Sequence, residues 1–253
     1  NYLPLMIDYE EKFYAVGKIL GSRYVRREGK SSEHAVLSGR LIDRTIRPLF
    51  NHGMRRDIQV VITILAVDPE FDPHFIALLT ASAAIAISDV PWNGPVAGLT
   101  IAKLANDGLV FNPSSESLAK GFSFDLLASG TEDKINMIEC EGLDAQEEEV
   151  VKALTAAQAE IAQLVKFQKE VAEEMGRPKT RVAVAEPDEK MKKAVGDFLD
   201  GKLETVIYTK TKMDRVNNLS ALEKGLKEKF VAAGLEKDVE PAMRLLEQAV
   251  DEL

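Results

Sequence analysis

YVRREGKSSEHAVLSGRLIDRTIRPLF, Tyr24 to Phe50, is the stretch on which the fold turns. Ser31 or Ser32 stands where a helix N-cap is needed, and Glu33 follows in the first turn, where the helix dipole favours an anion. Pro48 pushes Arg47 out of helical geometry and ends the helix. At about 100° per residue, Ala35, Ser38, Gly39, Ile42, Ile46 and Leu49 share one face, and Arg40, Arg44 and Arg47 fall nearly opposite. The small residues Ala35, Ser38 and Gly39 let the apolar face approach a neighbour closely. Like charges one turn apart repel by a few tenths of a kcal/mol in water, a cost that a polyanion lying across them removes.

The charge of this region departs from that of the chain. The 253 residues sum to −9, whereas Leu20–Asp57 holds nine Arg/Lys against four Asp/Glu, a local +5. An acidic protein that gathers its cations in one window aims them at an anion, and phosphate, alone or in a nucleic-acid backbone, is the first choice. The other reading is a solvated helix face with Glu33 and Asp43 as local partners. Tyr24, beside Arg26 and Arg27, is the aromatic placed to stack on a base, whereas Trp92 lies in the turn cluster Pro91–Pro95 and reads as packing.

Outward from the arginine helix, Leu3–Ile7 is strand-like, and Asp8–Gly17 reads as an irregular or helical piece. Ile58–Val67 is β-branched and nearly continuously apolar, hence a buried strand. Phe75–Ser88 is an alanine-rich buried helix. Val96–Leu104, Leu109–Phe111, Phe122–Ala128 and Lys134–Cys140 read as consecutive strands, with Asn106-Asp107-Gly108 as a hairpin turn. A long helix runs from Asp144 to about Gly176, with Pro178 beyond it. From Lys179 the chain turns charged and helical: Pro187-Asp188-Glu189 starts a helix to about Leu199, another runs from about Leu203 to Tyr208, and the remainder includes a helix over Ser220–Ala233. Gly234 and Pro241 punctuate the end. The fold class is α/β (α+β), with 1–178 as one domain and 179–253 as a small all-α module.

The chemistry is sparse. Cys140 is the one cysteine, so no internal disulfide forms, which fits a reducing, cytoplasmic setting. The apolar runs are too short to cross a bilayer, and no membrane partner is expected. His34, His52 and His74 show no metal-ligand spacing with one another or with the cysteine. The sequence holds no P-loop, dinucleotide fingerprint or nucleophile elbow. Glu139 and Glu141 share one face of a strand as an acid/base pair or, more simply, as a polar sheet face. Glu147-Glu148-Glu149 reads as a favourable charge cluster at a helix start.

PLMIDYEEKFYAVGKI (Pro4–Ile19), RREGKSSE (Arg26–Glu33), GRLIDRTIRPLF (Gly39–Phe50), DPEFDPHF (Asp68–Phe75), VPWNGPVAG (Val90–Gly98) and SGTEDKINMIECE (Ser129–Glu141) resemble bacterial polynucleotide phosphorylase, in order from about Leu3 to Pro178. The resemblance implies a first RNase PH-like core with a mixed sheet and packed helices, followed by an all-helical linker domain. The first strands, a second core and the RNA-binding modules of that family would lie outside this sequence. It further implies phosphate-dependent degradation of RNA from the 3′ end with release of nucleoside diphosphates. Single-stranded RNA and inorganic phosphate are the partners, the assembly is a homotrimeric ring, and no DNA is expected. Catalysis and the magnesium ion belong to the second core, so neither a catalytic residue nor a metal ligand is expected here.

Where that family places its serine-rich phosphate loop, this chain has Asp72, Pro73 and His74. Where a metal aspartate would stand it has Ser123, leaving only Asp125. A loop of two aromatics and two arginines lines the family's RNA constriction. Here it reads Arg23-Tyr24-Val25-Arg26-Arg27, which keeps the charge and loses one ring. Thr45 replaces a common proline. The resemblance thus makes Tyr24, Arg26, Arg27, Arg40, Arg44 and Arg47 the RNA- or phosphate-binding residues of a portion that guides RNA without its own active site. Two rival readings are a single-core phosphorolytic nuclease active by itself and a free-standing, non-catalytic RNA-binding subunit.

Overall fold

Ser32 caps the helix formed by the arginine stretch: its Oγ accepts from the Ala35 amide at 2.9 Å, and α1 runs Glu33–Ile46. The computed structural model describes residues 3–17, 31–104, 108–182, 188–251 and 253. Arg47 does not leave helical geometry at Pro48. It keeps φ −55 and ψ −43, and the chain tightens into a 3-10 turn over Arg47–Leu49.

Strand β1 (Leu5–Glu11) lies parallel to β2 (Ile58–Ile64), with Leu5 opposite Ile58 and Tyr9 opposite Ile62. Such a parallel pair needs a crossover, and α1 supplies it, packed against β1. Gly39 sits under Tyr9, where an added Cβ would be 3.5 Å from the Tyr9 Cβ, and Ala35, Ser38 and Ile42 are buried beside it. The region Asp8–Glu11, expected to be irregular, continues the strand because its alternate residue Tyr9 is 3 % exposed in the core; a 3-10 turn over Phe13–Val16 follows.

Helix α2 (His74–Ile87) is apolar on most sides because it packs on β2, on α1 and on the second layer. That layer is an antiparallel sheet in the order β4-β3-β5-β6, from β3 (Ala97–Leu104), β4 (Gly108–Phe111), β5 (Phe122–Gly130) and β6 (Ile135–Gly142). Gly98 is needed on β3, since a Cβ there would stand 2.8 Å from the Ser129 Cβ and 2.9 Å from Leu78. A short helix, α3 (Ser115–Ala119), was not predicted; Ser114 caps it by accepting from the Ser117 amide. Helix α4 (Glu147–Met175) lays Ala153, Ala157, Ile161 and Val165 on the sheet, over Phe124, Leu126 and Ala128. It begins three residues later than expected because Asp144 takes the left-handed conformation, φ 55, and Gln146 becomes the cap.

The chain divides into two compact units, Asn1–Val184 and Ala185–Leu253. The division falls beyond the expected 178/179 boundary because residues 177–182 belong to the first unit. Lys179 Nζ donates to the carbonyls of Ile85, Ala86 and Ser88 at 2.8–2.9 Å, and Val182 joins the core built on β1, α1 and α2.

The second unit holds α5 (Glu189–Leu199), α6 (Leu203–Ile207), α7 (Lys212–Ala232) and α8 (Val239–Asp251) around Val195, Leu199, Leu222, Leu226, Phe230, Ala242 and Leu246. Helix α7 starts eight residues before the predicted Ser220 because Thr211 caps it, accepting from Asp214 at 3.1 Å. Pro241 does not close the chain's structure. It sits in the first turn of α8, where a missing N–H costs nothing.

Candidate functional site

The exposed side of α1 carries Glu33, Val36, Leu37, Arg40 and Arg44, with Leu37 62 % exposed. Arg40 and Arg44 sit one turn apart, and among the described residues neither makes a hydrogen bond or ion pair. Two adjacent cations without internal partners are free to meet an anion from outside.

Arg47 does not join them. Its guanidinium grips the Asp43 carboxylate through two bonds, Nε to Oδ2 at 2.8 Å and a terminal nitrogen to Oδ1 at 2.7 Å. It also donates to the carbonyls of Leu5 at 2.9 Å and Leu3 at 3.3 Å. The 3-10 turn swings the side chain toward β1, so Arg47 ties the end of α1 to the start of that strand. The predicted stripe of three arginines is therefore an open pair and an anchor. Tyr24, Arg26 and Arg27 lie outside the described residues.

At the other end of α1 stands a polar cluster. His34 places Nδ1 2.9 Å from Glu11 at the end of β1 and Nε2 2.8 Å from Asp72 in the loop before α2. Both partners are carboxylates, so both ring nitrogens donate only as imidazolium. Burial alone would lower the His34 pKa, but the bonds to Glu11 and Asp72 outweigh it and hold it above its ordinary value. Ser32 Oγ donates to the second Glu11 oxygen at 2.9 Å.

Asp72 also accepts from His74, from the backbone N–H at 3.0 Å and from Nδ1 at 2.5 Å. Burial pushes the Asp72 carboxyl upward, yet these bonds and charges win and carry it well below the usual carboxylate range. His74 Nε2 is buried without a hydrogen-bond partner among the described residues, as is Asp125 Oδ1 on β5. Burial, then the charge of Glu141 directly across the β5–β6 ladder, raises the Asp125 pKa, and His74 opposes this in part.

This arrangement is unsuited to holding phosphate. Asp72 would turn a negative charge toward a phosphate, and both histidine Nδ1 atoms are spent on carboxylates. Among the described residues no three His, Cys, Asp or Glu side chains converge as metal ligands. Glu139 and Glu141 line an exposed sheet face, and Glu149 pairs with Lys103. Trp92 is a packing residue: it donates through Nε1 to the Ile46 carbonyl at 3.1 Å and lies 6.0 Å from the Phe50 ring.

Sequence reasoning missed the Glu11–His34–Asp72 cluster. Its members are 23 and 38 residues apart with no local spacing signal, so only the fold brings them together.

Residues 1–91 match the 3′ exoribonuclease family, domain 1, and residues 94–160 match domain 2 of the same family. Polyribonucleotide nucleotidyltransferase of Heliobacterium modesticaldum is 35% identical over 253 residues, 99% of this chain and 35% of the relative. Those of Clostridioides difficile (38% over 223 residues, 88% of this chain and 31% of the relative) and Bacillus mycoides (37% over 238 residues, 94% and 33%) are similar as well. The chain thus spans about a third of the length of these curated relatives. The crystal structure of Rrp46 from rice (Oryza sativa) is similar over 57% of this chain and 68% of its own, with a TM-score of 0.48 and 10% identity.

Proposed function

This chain belongs to the 3′ exoribonuclease family, with an RNase PH core like that of the polyribonucleotide nucleotidyltransferases, and from that premise we propose that it is the RNA-guiding, ring-building portion of such an enzyme. The parent reaction is phosphate-dependent 3′-to-5′ degradation of RNA to nucleoside diphosphates in the cytoplasm. It is carried out by a homotrimer whose magnesium and phosphate sites lie in the second core. In this portion Arg40 and Arg44, with Arg26, Arg27 and Tyr24, contact single-stranded RNA.

The observation that carries the reading is the open arginine pair on α1 in an otherwise acidic chain. The cluster around Asp72 supports the absence of chemistry. Phosphorolysis needs donors around the phosphate nucleophile and oxygen ligands around a metal, and neither set is assembled by these side chains. A cationic face that binds ground and transition states alike holds RNA without accelerating its cleavage.

The test is fluorescence anisotropy of a labelled 3′-hydroxyl oligouridylate titrated with the 253-residue chain. Saturable binding that weakens steeply with salt is expected. Binding no tighter than that of an uncharged oligonucleotide analogue would contradict the proposal. No helix among the described residues is long and apolar enough to cross a membrane.

A further inference from the structure

The two ends of α1 are held by different chemistry. At the C-terminal end no histidine takes part in the ties. Arg47 bridges Asp43 and the Leu3 and Leu5 carbonyls. Thr45 and Ser129 share a buried hydrogen bond of 2.7 Å, Asn136 donates to the Thr45 carbonyl at 2.9 Å, and Trp92 donates to that of Ile46. At the N-terminal end one titratable ring, His34, joins three elements: α1, the last residue of β1 and the loop before α2.

We infer that His34 is a positioning residue, which as an imidazolium clamps the first turns of α1, and with them the Arg40 side of the arginine face, onto Glu11 and Asp72. A neutral imidazole has one N–H. It donates to one carboxylate and turns a lone pair on the other, so deprotonation both removes a bond and adds a repulsion. The inference rests on the reading of that face as the RNA surface.

Among the described residues the groups that face His34 can be named element by element. From β1 come Glu11 and, deeper, Tyr9, whose hydroxyl is pushed upward by burial and by the charges of Glu11 and Asp72. From the loop and the start of α2 come Asp72 and His74, the latter bound to the same carboxylate. Ser32 and exposed Glu33 stand on its own helix. Asp125 on β5 acts on His74. The raised His34 pKa sets the sign. The clamp is fully engaged below the unfolded imidazole value, about 6.5, and is lost as pH rises through the higher folded value.

The experiment follows backbone hydrogen exchange of the whole chain across that interval, corrected for intrinsic rates, in wild type, His34→Gln and His34→Arg. Wild-type protection at Val36–Arg40 is expected to fall about tenfold for each pKa unit by which His34 is raised. His34→Gln should be weakly protected throughout. His34→Arg, which keeps its charge and can donate to both carboxylates, should stay protected at high pH. Thr45 and Ile46 should not respond. Oligouridylate affinity, measured in parallel, should fall with pH in wild type only.

A wild-type protection profile reproduced by His34→Gln overturns the clamp. Protection that titrates while RNA affinity does not overturns the positioning role. Arg40→Ala/Arg44→Ala separates the two readings. If it abolishes binding while the pH response ignores His34, the RNA surface stands and the inference fails. If it leaves binding intact, the RNA reading fails and takes the positioning role with it.

Discussion

The arginine face of α1 and the cluster at its N-terminal end belong to one helix and are opposites. Arg40 and Arg44 are open cations without internal partners among the described residues. Glu11, His34, Asp72 and His74 are satisfied largely by one another. A surface that keeps its charges unpaired can bind a polyanion. A cluster that pairs its charges internally has none to offer a phosphate or a metal. The proposed RNA-guiding role rests on this difference.

The sharpest way to break the comparison is Arg47. If all three arginines served RNA, Arg47→Ala would weaken binding and spare stability. The structure predicts the reverse. Losing the Asp43 bridge and two carbonyl bonds in a mostly buried setting should cost about 2–3 kcal/mol. Urea unfolding should register that loss, and the salt dependence of RNA binding should stay unchanged.

A smaller effect is expected at Asp72. Asp72→Asn should lower stability at neutral pH by about 1 kcal/mol or less, since the carboxylate is partly solvated. Its depressed pKa sets the pH dependence. Its contribution is fully present above the unfolded value, about 3.9, and is lost as pH falls through the folded one. Thermal melts of wild type should therefore drop more steeply in acid than those of Asp72→Asn. Parallel curves would mean that Asp72 is not held by the two histidines.

The smallest expected effect is none at all. Highly purified chain, given magnesium, phosphate and a 3′-hydroxyl RNA, should release no nucleoside diphosphate. Phosphate-dependent release lost in Asp125→Ala would show that the cluster is a working site.

What was legible in the sequence was local. A serine cap at position 31 or 32, the small-residue face of α1, the β-branched run of β2 and the consecutive strands of the second sheet all follow from neighbouring residues or simple periodicity. What was not legible depended on distant partners. Arg47 reads like Arg40 and Arg44 on a helical wheel until a 3-10 turn aims it at β1. His34 reads as an ordinary surface or loop residue until Glu11 and Asp72 arrive from other elements. Thr45 reads as one more helix residue until its hydroxyl meets that of Ser129, 84 residues on.

The central claim, that α1 presents its open arginines to RNA, is tested most directly by the salt dependence of oligouridylate binding to Arg40→Ala/Arg44→Ala. These exposed substitutions should leave stability within about 0.5 kcal/mol of wild type. With two phosphate contacts removed, the log–log salt slope should become shallower by about 1.4, at about 0.7 per contact for a single strand. A slope equal to that of wild type would contradict the account.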